Sequence, residues 1–123
     1  MSEQWKCAEQ ITDCLERDEW VSPNTYCNRF APLRNVPAIY LFMLFRADDF
    51  KESLVAYVGM STKLKQRIDS HDVLPIVQGH GFWTKVWFKP VAKSLLRQTE
   101  AEYIARFDPP WNIQGRVRGL VSQ

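Results

Sequence analysis

Six side chains between residues 40 and 112 could together act on a phosphate group. In chain order they are Tyr40, Tyr57, Arg67, His71, Glu100 and Asn112. Guanidinium groups bind phosphate oxygens through paired hydrogen bonds, carboxylates bind divalent metals, and imidazole and phenol groups can transfer protons. Each of these residues is common by itself, so the elements that carry them decide whether they meet.

The carboxylate of Glu100 lies on the apolar stripe of an expected helix that is capped by Ser94 and reaches Phe107. It is four residues after Leu96 and four before Ile104, so it points to the same side as they do. An unpaired carboxylate on a buried stripe is costly and normally has a cationic partner or binds a metal. The helical pattern alone leaves an arginine ion pair and a metal ligand equally open.

Arg67 and His71 are four residues apart on a second expected helix, so their side chains can meet on one face. Thr62 can cap this helix, which starts near Lys63 and must end at Pro75. The pair could present a cation to a phosphate and an imidazole to a reacting oxygen. Two surface residues on an amphipathic helix would give the same pattern.

Both tyrosines fall on short apolar runs that predict neighbouring strands. The predicted strands are Ala38–Phe45, Leu54–Gly59 and Phe82–Phe88. The polar segment Arg46–Ser53 reads as a short loop, which favours antiparallel pairing of the first two strands. Tyr40 and Tyr57 could equally be structural, with buried rings and locally bonded hydroxyls, which is the usual role of a strand tyrosine.

The first 37 residues carry a different signal. Residues 3–19 predict a helix, because Trp5, Ala8, Ile11 and Leu15 recur at helical intervals, and residues 21–37 predict an irregular segment rich in Pro and Asn. Residues 1–20 hold six acids and two bases, whereas residues 21–123 hold 14 bases and eight acids. A helix docked on the core is the leading interpretation, and a dimer contact or an acidic cover over a basic groove are alternatives.

Length and composition predict one α/β (α+β) domain in which a small three-stranded antiparallel sheet is flanked by helices, with an extra N-terminal helix. The 123 residues include no membrane-span-like run and no secretory signal pattern, which predicts a cytoplasmic protein without a membrane partner. Cys7, Cys14 and Cys27 form no CxxC pair, so they predict reduced thiols. A zinc site using them with His71 or His80 would lack the usual ligand spacing.

The ordered set of motifs resembles the GIY-YIG endonuclease family. The residues that carry the resemblance are Ala38-Ile39-Tyr40, Tyr57-Val58-Gly59-Met60-Ser61, Arg67, His71, Glu100 and Asn112, and it covers about residues 38–113. The tail Phe107–Gln114 looks like that of a phage member. Ala38 stands where the family usually has glycine, Val58 where it has isoleucine, and Met60 where a polar residue is common; the last change could alter a phosphate contact. The resemblance divides the chain into an extension, 1–37, and a nuclease domain, 38–123.

The resemblance implies a stand-alone, phage- or mobile-element-like DNA endonuclease, acting in the cytoplasm of a bacterium or an infected host. A single Mg²⁺ (or Mn²⁺) would be held by Glu100 as its one protein carboxylate, and Arg67 would neutralise the scissile phosphate. Tyr40, Tyr57 and His71 would share water activation and proton transfer, and Asn112 would order the loop after the last helix. Residues expected to contact DNA phosphates are Lys63, Lys65, Lys85, Lys89, Arg116 and Arg118.

Other readings of the same motifs stay open. The fold could serve as a weak or inactive module that binds DNA or protein, or as a structure-specific repair nuclease that needs a partner. A single domain supplies one active site, and cutting both strands needs two sites or two encounters. A homodimer is therefore one expectation. Because the chain has no room for a separate DNA-binding domain, a protein partner that supplies specificity is another.

Overall fold

A computed structural model of the chain describes residues 5–23, 32–46, 49–70 and 82–112. His71, Arg116, Arg118 and Cys27 lie outside these residues, as do the predicted end of the second helix at Pro75 and residues 24–31 of the irregular segment. The strands are β1 (Lys6–Cys7), β2 (Ala38–Arg46), β3 (Asp49–Ser61) and β4 (Phe82–Pro90). The helices are α1 (Ala8–Arg17), α2 (Leu64–Asp69) and α3 (Leu96–Phe107), and a 3₁₀ turn, Lys93–Leu95, precedes α3.

The strands form one antiparallel sheet in the order β1-β3-β2-β4. The α+β class and the antiparallel pairing of the two tyrosine strands are therefore confirmed. The prediction of three strands is wrong, because the short β1 adds a fourth at the outer edge of β3. Both residues of β1 are exposed, so no apolar pattern marks it in the sequence.

The central strand β2 separates two hydrophobic clusters. Ile39, Leu41 and Met43 pack with α1 and α3 on one side of the sheet, which we call the α1/α3 face. Tyr40 and Phe42 pack with α2 on the other side, which we call the tyrosine face. Because both faces of β2 are covered, its sequence is continuously apolar rather than alternating.

The strand β3 extends well beyond the predicted segment. It starts at Asp49, so the segment predicted as a loop, Arg46–Ser53, is mostly strand; its first four residues are exposed and need no apolar pattern. The register shifts between Phe42 and Met43, where Ala56 has no partner across the pair. Such a bulge increases local twist and re-aims the neighbouring side chains, here next to Tyr57.

The first helix is shorter than predicted, beginning at Ala8 rather than near residue 3. Ala8, Ile11 and Leu15 are buried at helical spacing against the sheet. The helix ends in a turn at Glu19, whose φ of 67° is left-handed, and the Trp20 N–H then donates to Leu15 O at 2.9 Å. This reversal carries the chain on to the far edge of the sheet.

The N-terminal segment pairs with both outer strands. Lys6 lies opposite Ser53 at the β3 edge, and Val21 exchanges backbone hydrogen bonds of 2.9 and 2.8 Å with Phe88 at the β4 edge. Ser22 adds a hydrogen bond to Val86 O at 2.5 Å. Helix α1 crosses the sheet between these two contacts, so residues 5–22 share the core of the strands that carry the tyrosines.

The helix caps differ from those predicted. Three groups of the preceding segment accept from the start of α2: Val36 O from Leu64 N, Arg34 O from Lys65 N, and Asn35 Oδ1 from Gln66 N. The predicted Thr62 cap is therefore wrong. Ser94 does not cap α3 either, because it lies within the 3₁₀ turn and no side chain caps that helix.

The described residues also bear on the cysteines and on membrane spans. Cys7 and Cys14 are free thiols. None of the helices in residues 5–23, 32–46, 49–70 and 82–112 is long and apolar enough to cross a membrane.

Candidate active site

Tyr40 and Gly59 are direct cross-strand partners on the tyrosine face. The Tyr40 side chain is only 1% exposed, and its ring lies across the Gly59 backbone. A Cβ built on Gly59 would be 2.5 Å from both Cζ and the phenolic oxygen of Tyr40, far inside van der Waals contact. Glycine is required here for close approach of a ring, and this gives the third residue of the second motif a physical role.

Tyr57 lies opposite Phe42, two cross-strand pairs along from the pair of Tyr40 and Gly59. Its ring stacks on Phe42 with centroids 5.6 Å apart and an angle of 22°, and the two tyrosine centroids are 6.2 Å apart. Tyr57 is less buried than Tyr40. The sheet thus holds one phenol fully inside and presents the other at the surface of the same face.

The guanidinium of Arg67 hydrogen-bonds both phenols. Arg67 lies in the last turn of α2, and its neighbours Leu64 and Ile68 are buried in the tyrosine-face cluster, so the helix is fixed against the sheet. The Tyr40 hydroxyl also donates to the Tyr57 oxygen, which makes Tyr57 the acceptor in the pair. Three of the six predicted side chains therefore form one hydrogen-bonded group.

The phenols of this group differ in acidity. Burial raises the pKa of Tyr40, the adjacent Tyr57 raises it further, and Arg67 opposes both effects. Burial also raises the pKa of Tyr57, but there the cation of Arg67 and the hydrogen bond from Tyr40 favour the phenolate. Tyr57 is consequently the phenol of the pair that ionises more readily.

Glu100 approaches this group from α3. Its carboxylate is close enough to Tyr57 for its charge to raise the pKa of that phenol. Burial raises the pKa of Glu100 itself, and only the nearby Arg97 opposes this. Among the described residues no cation lies within ion-pair distance of the Glu100 carboxylate. Of the two interpretations left open by the sequence, a short-range arginine ion pair is thus not found in the described part of the chain.

Asn112 holds the edge of β3 beside Tyr57. Its Nδ2 donates to Val58 O at 2.5 Å, and its Oδ1 accepts from Val58 N at 2.6 Å. The preceding Trp111 N donates to Ala56 O at 3.0 Å. The left-handed Asp108, with φ of 46°, ends α3 and turns the chain towards this edge. The Asn112 amide at Val58 and the Trp111 N–H at Ala56 therefore take the place of a neighbouring strand on the two sides of Tyr57.

The predicted phosphate-binding lysines lie in different places. Lys63 and Lys65 are exposed near α2, and Lys65 forms a salt bridge of 2.7 Å with Asp69. Lys85 and Lys89 pair with Met43 and Ile39 and so point to the α1/α3 face, away from Tyr40. Lys85 lies over the ring of Trp87, and Lys89 binds Asp18. The structure thus brings neither of them to the tyrosine face.

Three of the predicted residues, His71, Arg116 and Arg118, lie outside the described residues. Within residues 5–23, 32–46, 49–70 and 82–112, no group of three His, Cys, Asp or Glu side chains lies close enough together to hold a metal ion.

Two structural features near the predicted residues are not evident from the sequence. Gly59 stands in the sequence only as a motif residue, whereas in the structure its missing side chain makes room for Tyr40. The second is the hydrogen bond from Tyr103, one turn along α3 from Glu100, to Asp18. No local sequence pattern predicts it, because the two residues are 85 positions apart. Comparison of the chain with models of protein families, with curated proteins and with solved structures finds no match.

Proposed function

We propose that this chain is a divalent-metal-dependent endonuclease of the GIY-YIG type, which hydrolyses phosphodiester bonds in DNA. The observation that carries the proposal is the hydrogen-bonded group of Tyr40, Tyr57 and Arg67, with the Glu100 carboxylate in electrostatic range of Tyr57. These four residues come from two strands and two helices. Their assembly at one place supports a shared chemical task beyond the packing of each element.

Glu100 is suited to hold a divalent cation. Its carboxylate is half-buried, so burial disfavours the negative charge, and among the described residues no cation lies within 4 Å to offset it. A bound cation would relieve that cost, because carboxylate oxygens are preferred ligands of Mg²⁺ and Mn²⁺. When bound, such an ion supplies positive charge to the phosphate oxygens during hydrolysis.

Arg67 is suited to bind the scissile phosphate. Its guanidinium has five N–H donors and uses some of them on the two phenols, which fix its orientation. A guanidinium held in one orientation can stabilise the charge that develops on phosphoryl oxygens without reorganising. Arg67 would therefore orient the substrate and stabilise the transition state.

We assign proton acceptance from the attacking water to Tyr57. It is the more accessible phenol, it accepts the hydrogen bond from Tyr40, and it lies beside the cation of Arg67. Tyr40, fully buried and donating to Tyr57, would stabilise the phenolate when it forms. The expectation that His71 takes part in proton transfer stays a prediction.

The proposal is tested by incubating supercoiled plasmid with the wild-type protein and Mg²⁺ or Mn²⁺, alongside Glu100→Gln and a metal-chelated control. The matched control is Glu102→Gln, an exposed glutamate on the same helix. We expect wild type and Glu102→Gln to nick the plasmid only with metal, and Glu100→Gln to lose at least about a thousandfold in rate. Branched and single-stranded DNA are included because a repair nuclease would prefer them.

A wild-type protein that cuts none of these DNAs with either metal would refute the nuclease. If that protein still retards DNA in a gel, a binding module on the same fold becomes the better description. Mapping the cut ends to single bases would then report any target preference and show whether one strand or both are cleaved.

A further inference from the structure

A carboxylate outside the predicted nuclease domain joins α1 to α3. Asp18 follows the last residue of α1, and its side chain accepts a hydrogen bond from the Tyr103 hydroxyl of α3. It also receives Lys89 of β4, whose Nζ lies 3.1 Å from Oδ1 and 2.7 Å from the Asp18 backbone oxygen. The Nη1 of Arg106 lies 3.5 Å from Oδ2. One carboxylate thus connects three elements.

The surrounding groups are arranged to keep this carboxylate charged. Burial works against the charge of Asp18, but hydrogen bonds from Tyr103 and Lys89 and the charges of Lys89 and Arg106 outweigh it, so its pKa is lowered. The pKa of Lys89 is raised despite burial, because of its contacts with Asp18 and Tyr103. The lowered pKa of Asp18 and the raised pKa of Lys89 both indicate that the two charged groups attract each other.

The ring of Tyr103 is fixed as well as its hydroxyl. It meets Trp20 edge-on with centroids 5.1 Å apart and stacks on Phe107 at 6.0 Å. Tyr103 and Trp20 are both buried in the α1/α3-face cluster. The hydroxyl bond to Asp18 and these ring contacts therefore hold Tyr103, and with it this turn of α3, against the end of α1.

Glu100 precedes Tyr103 by three residues, which places them on adjacent turns of one side of α3. The 3₁₀ turn before the helix and the left-handed Asp108 after it frame α3 at its ends, and Tyr103 fixes its middle. A rotation of α3 would carry the Glu100 carboxylate away from Tyr57. We propose that Asp18 is a positioning residue for Glu100, acting through Tyr103, and that the N-terminal segment thereby completes the site.

This inference rests on the proposed function, since it gives Glu100 a metal to hold. Groups that orient a metal ligand from behind typically contribute about 10–100-fold to metal affinity or activity. Asp18 would act on Glu100 only through Tyr103, so we expect its substitution to weaken metal affinity by about tenfold. It would touch neither metal nor substrate.

The test compares wild type with Asp18→Asn and Tyr103→Phe. Both variants keep the shape of the side chain; the first removes the charge and the second removes only the hydroxyl, which guards against a variant that fails to fold. The control is Leu44→Val, a buried change in the tyrosine-face cluster that lowers stability without contacting Asp18. Two readouts are measured: Mn²⁺ affinity by calorimetry, and backbone hydrogen exchange.

We expect both test variants to bind Mn²⁺ about tenfold more weakly, and amides of α3 to exchange about tenfold faster while amides of β2 do not change. Leu44→Val should leave Mn²⁺ affinity within about twofold. Equal losses in all three variants, or faster exchange spread evenly over the chain with unchanged Mn²⁺ affinity, would overturn the inference. A purely structural role for Asp18 predicts one of those two results.

Failure of the proposed function can be separated from failure of this inference. A wild type that binds Mn²⁺, loses that binding in Glu100→Gln, and cuts no DNA would refute the nuclease and leave the positioning test intact. A wild type that does not bind Mn²⁺ would refute both. Normal cleavage with unaltered Mn²⁺ affinity in Asp18→Asn and Tyr103→Phe would refute the positioning role alone.

Discussion

The ring of Tyr40 occupies the space that a side chain at Gly59 would need. Its Cζ and phenolic oxygen both lie 2.5 Å from the position of a Cβ on Gly59. This cross-strand relationship makes the glycine part of the site without giving it any chemistry.

Replacing Gly59 with alanine should therefore displace Tyr40. Because Tyr40 is packed on all sides in the core, we expect overpacking to destabilise the protein by about 1–3 kcal/mol in urea denaturation, and cleavage to fall. In a Tyr40→Leu background, which removes the clashing atoms, the same substitution should cost much less. An equal cost in both backgrounds would show that the Tyr40 ring is not the obstacle.

The assignment of Tyr57 as proton acceptor predicts a pH dependence. Its pKa is raised by burial above the ordinary value for tyrosine, so below that pKa the phenolate fraction grows about tenfold for each pH unit. Single-turnover cleavage should rise steadily between about pH 6 and pH 9. Tyr57→Phe should remove this slope. A Tyr57→Phe protein that keeps the wild-type pH profile would exclude Tyr57 as the base.

Glu100 should reduce stability while it supports activity. Burial raises its pKa in the folded protein above the usual 4.5. At neutral pH the ionised carboxylate is therefore less favourable in the folded protein than in the unfolded chain, which lowers the free energy of unfolding. We expect Glu100→Gln to raise the Tm at pH 7 by about 2–4 °C in the absence of metal, and the difference to vanish below about pH 4. Added Mg²⁺ should raise the Tm of wild type but not of the variant.

The comparison for this effect is Glu102→Gln, whose side chain is exposed. It should leave the Tm unchanged with or without Mg²⁺. An increase in both variants would indicate a general effect of charge on α3 instead of a desolvated carboxylate at Glu100.

The amide of Asn112 should matter through Val58. Asn112→Ala removes both hydrogen bonds and leaves two backbone groups of β3 without this partner, so we expect a loss of about 1–3 kcal/mol in urea denaturation together with slower cleavage. Asn112→Asp keeps the acceptor for Val58 N but places a carboxylate oxygen against Val58 O, so it should be at least as destabilised as Asn112→Ala. If Asn112→Ala loses the expected stability but cleaves DNA at the wild-type rate, Asn112 supports the fold and not the active site.

The Asp18 junction should make stability depend on pH at both ends of the scale. The pKa of Asp18 is lower in the folded protein than its unfolded value of 3.8. Its contribution to the free energy of unfolding is therefore fully present above pH 3.8 and is lost as the pH falls through the pKa of the folded protein. The pKa of Lys89 is higher in the folded protein than its unfolded value of 10.5. Its contribution to the free energy of unfolding is therefore fully present below pH 10.5 and is lost as the pH rises through the pKa of the folded protein. Asp18→Asn should be less stable than wild type at pH 7, and the gap should narrow below about pH 3.

Some of the site could be predicted from the sequence because its signals are local. The apolar stripe around Glu100 required only the helical repeat, and the tyrosine strands required only apolar runs. The hydrogen-bonded group of Tyr40, Tyr57 and Arg67 depends on a bulge at Ala56 and on α2 being capped by Arg34 to Val36. Neither feature leaves a local pattern, so the meeting of these residues followed from resemblance alone.

The errors have the same physical origin. Lys6 and Cys7 continue a helical pattern in sequence but pair with Ser53 and Glu52 as a strand, because a distant edge offers hydrogen bonds. The positive charge of Lys89 predicts a DNA contact, whereas its side chain binds Asp18, which is 71 residues away. Charge and periodicity report composition and local preference, and they do not report which side of a sheet a lysine faces.

The contacts of the N-terminal segment with both sheet edges also bear on how the chain folds during synthesis. Residues 5–22 are made before the strands that they pair with, and Phe88 at the β4 edge is made 67 residues after its partner Val21. Formation of such distant contacts slows folding, and the cluster on the α1/α3 face stays incomplete until Trp87 of β4 and Leu96 and Tyr103 of α3 have been made. Newly made chains would therefore be most prone to aggregate just before the last strand and α3 emerge from the ribosome.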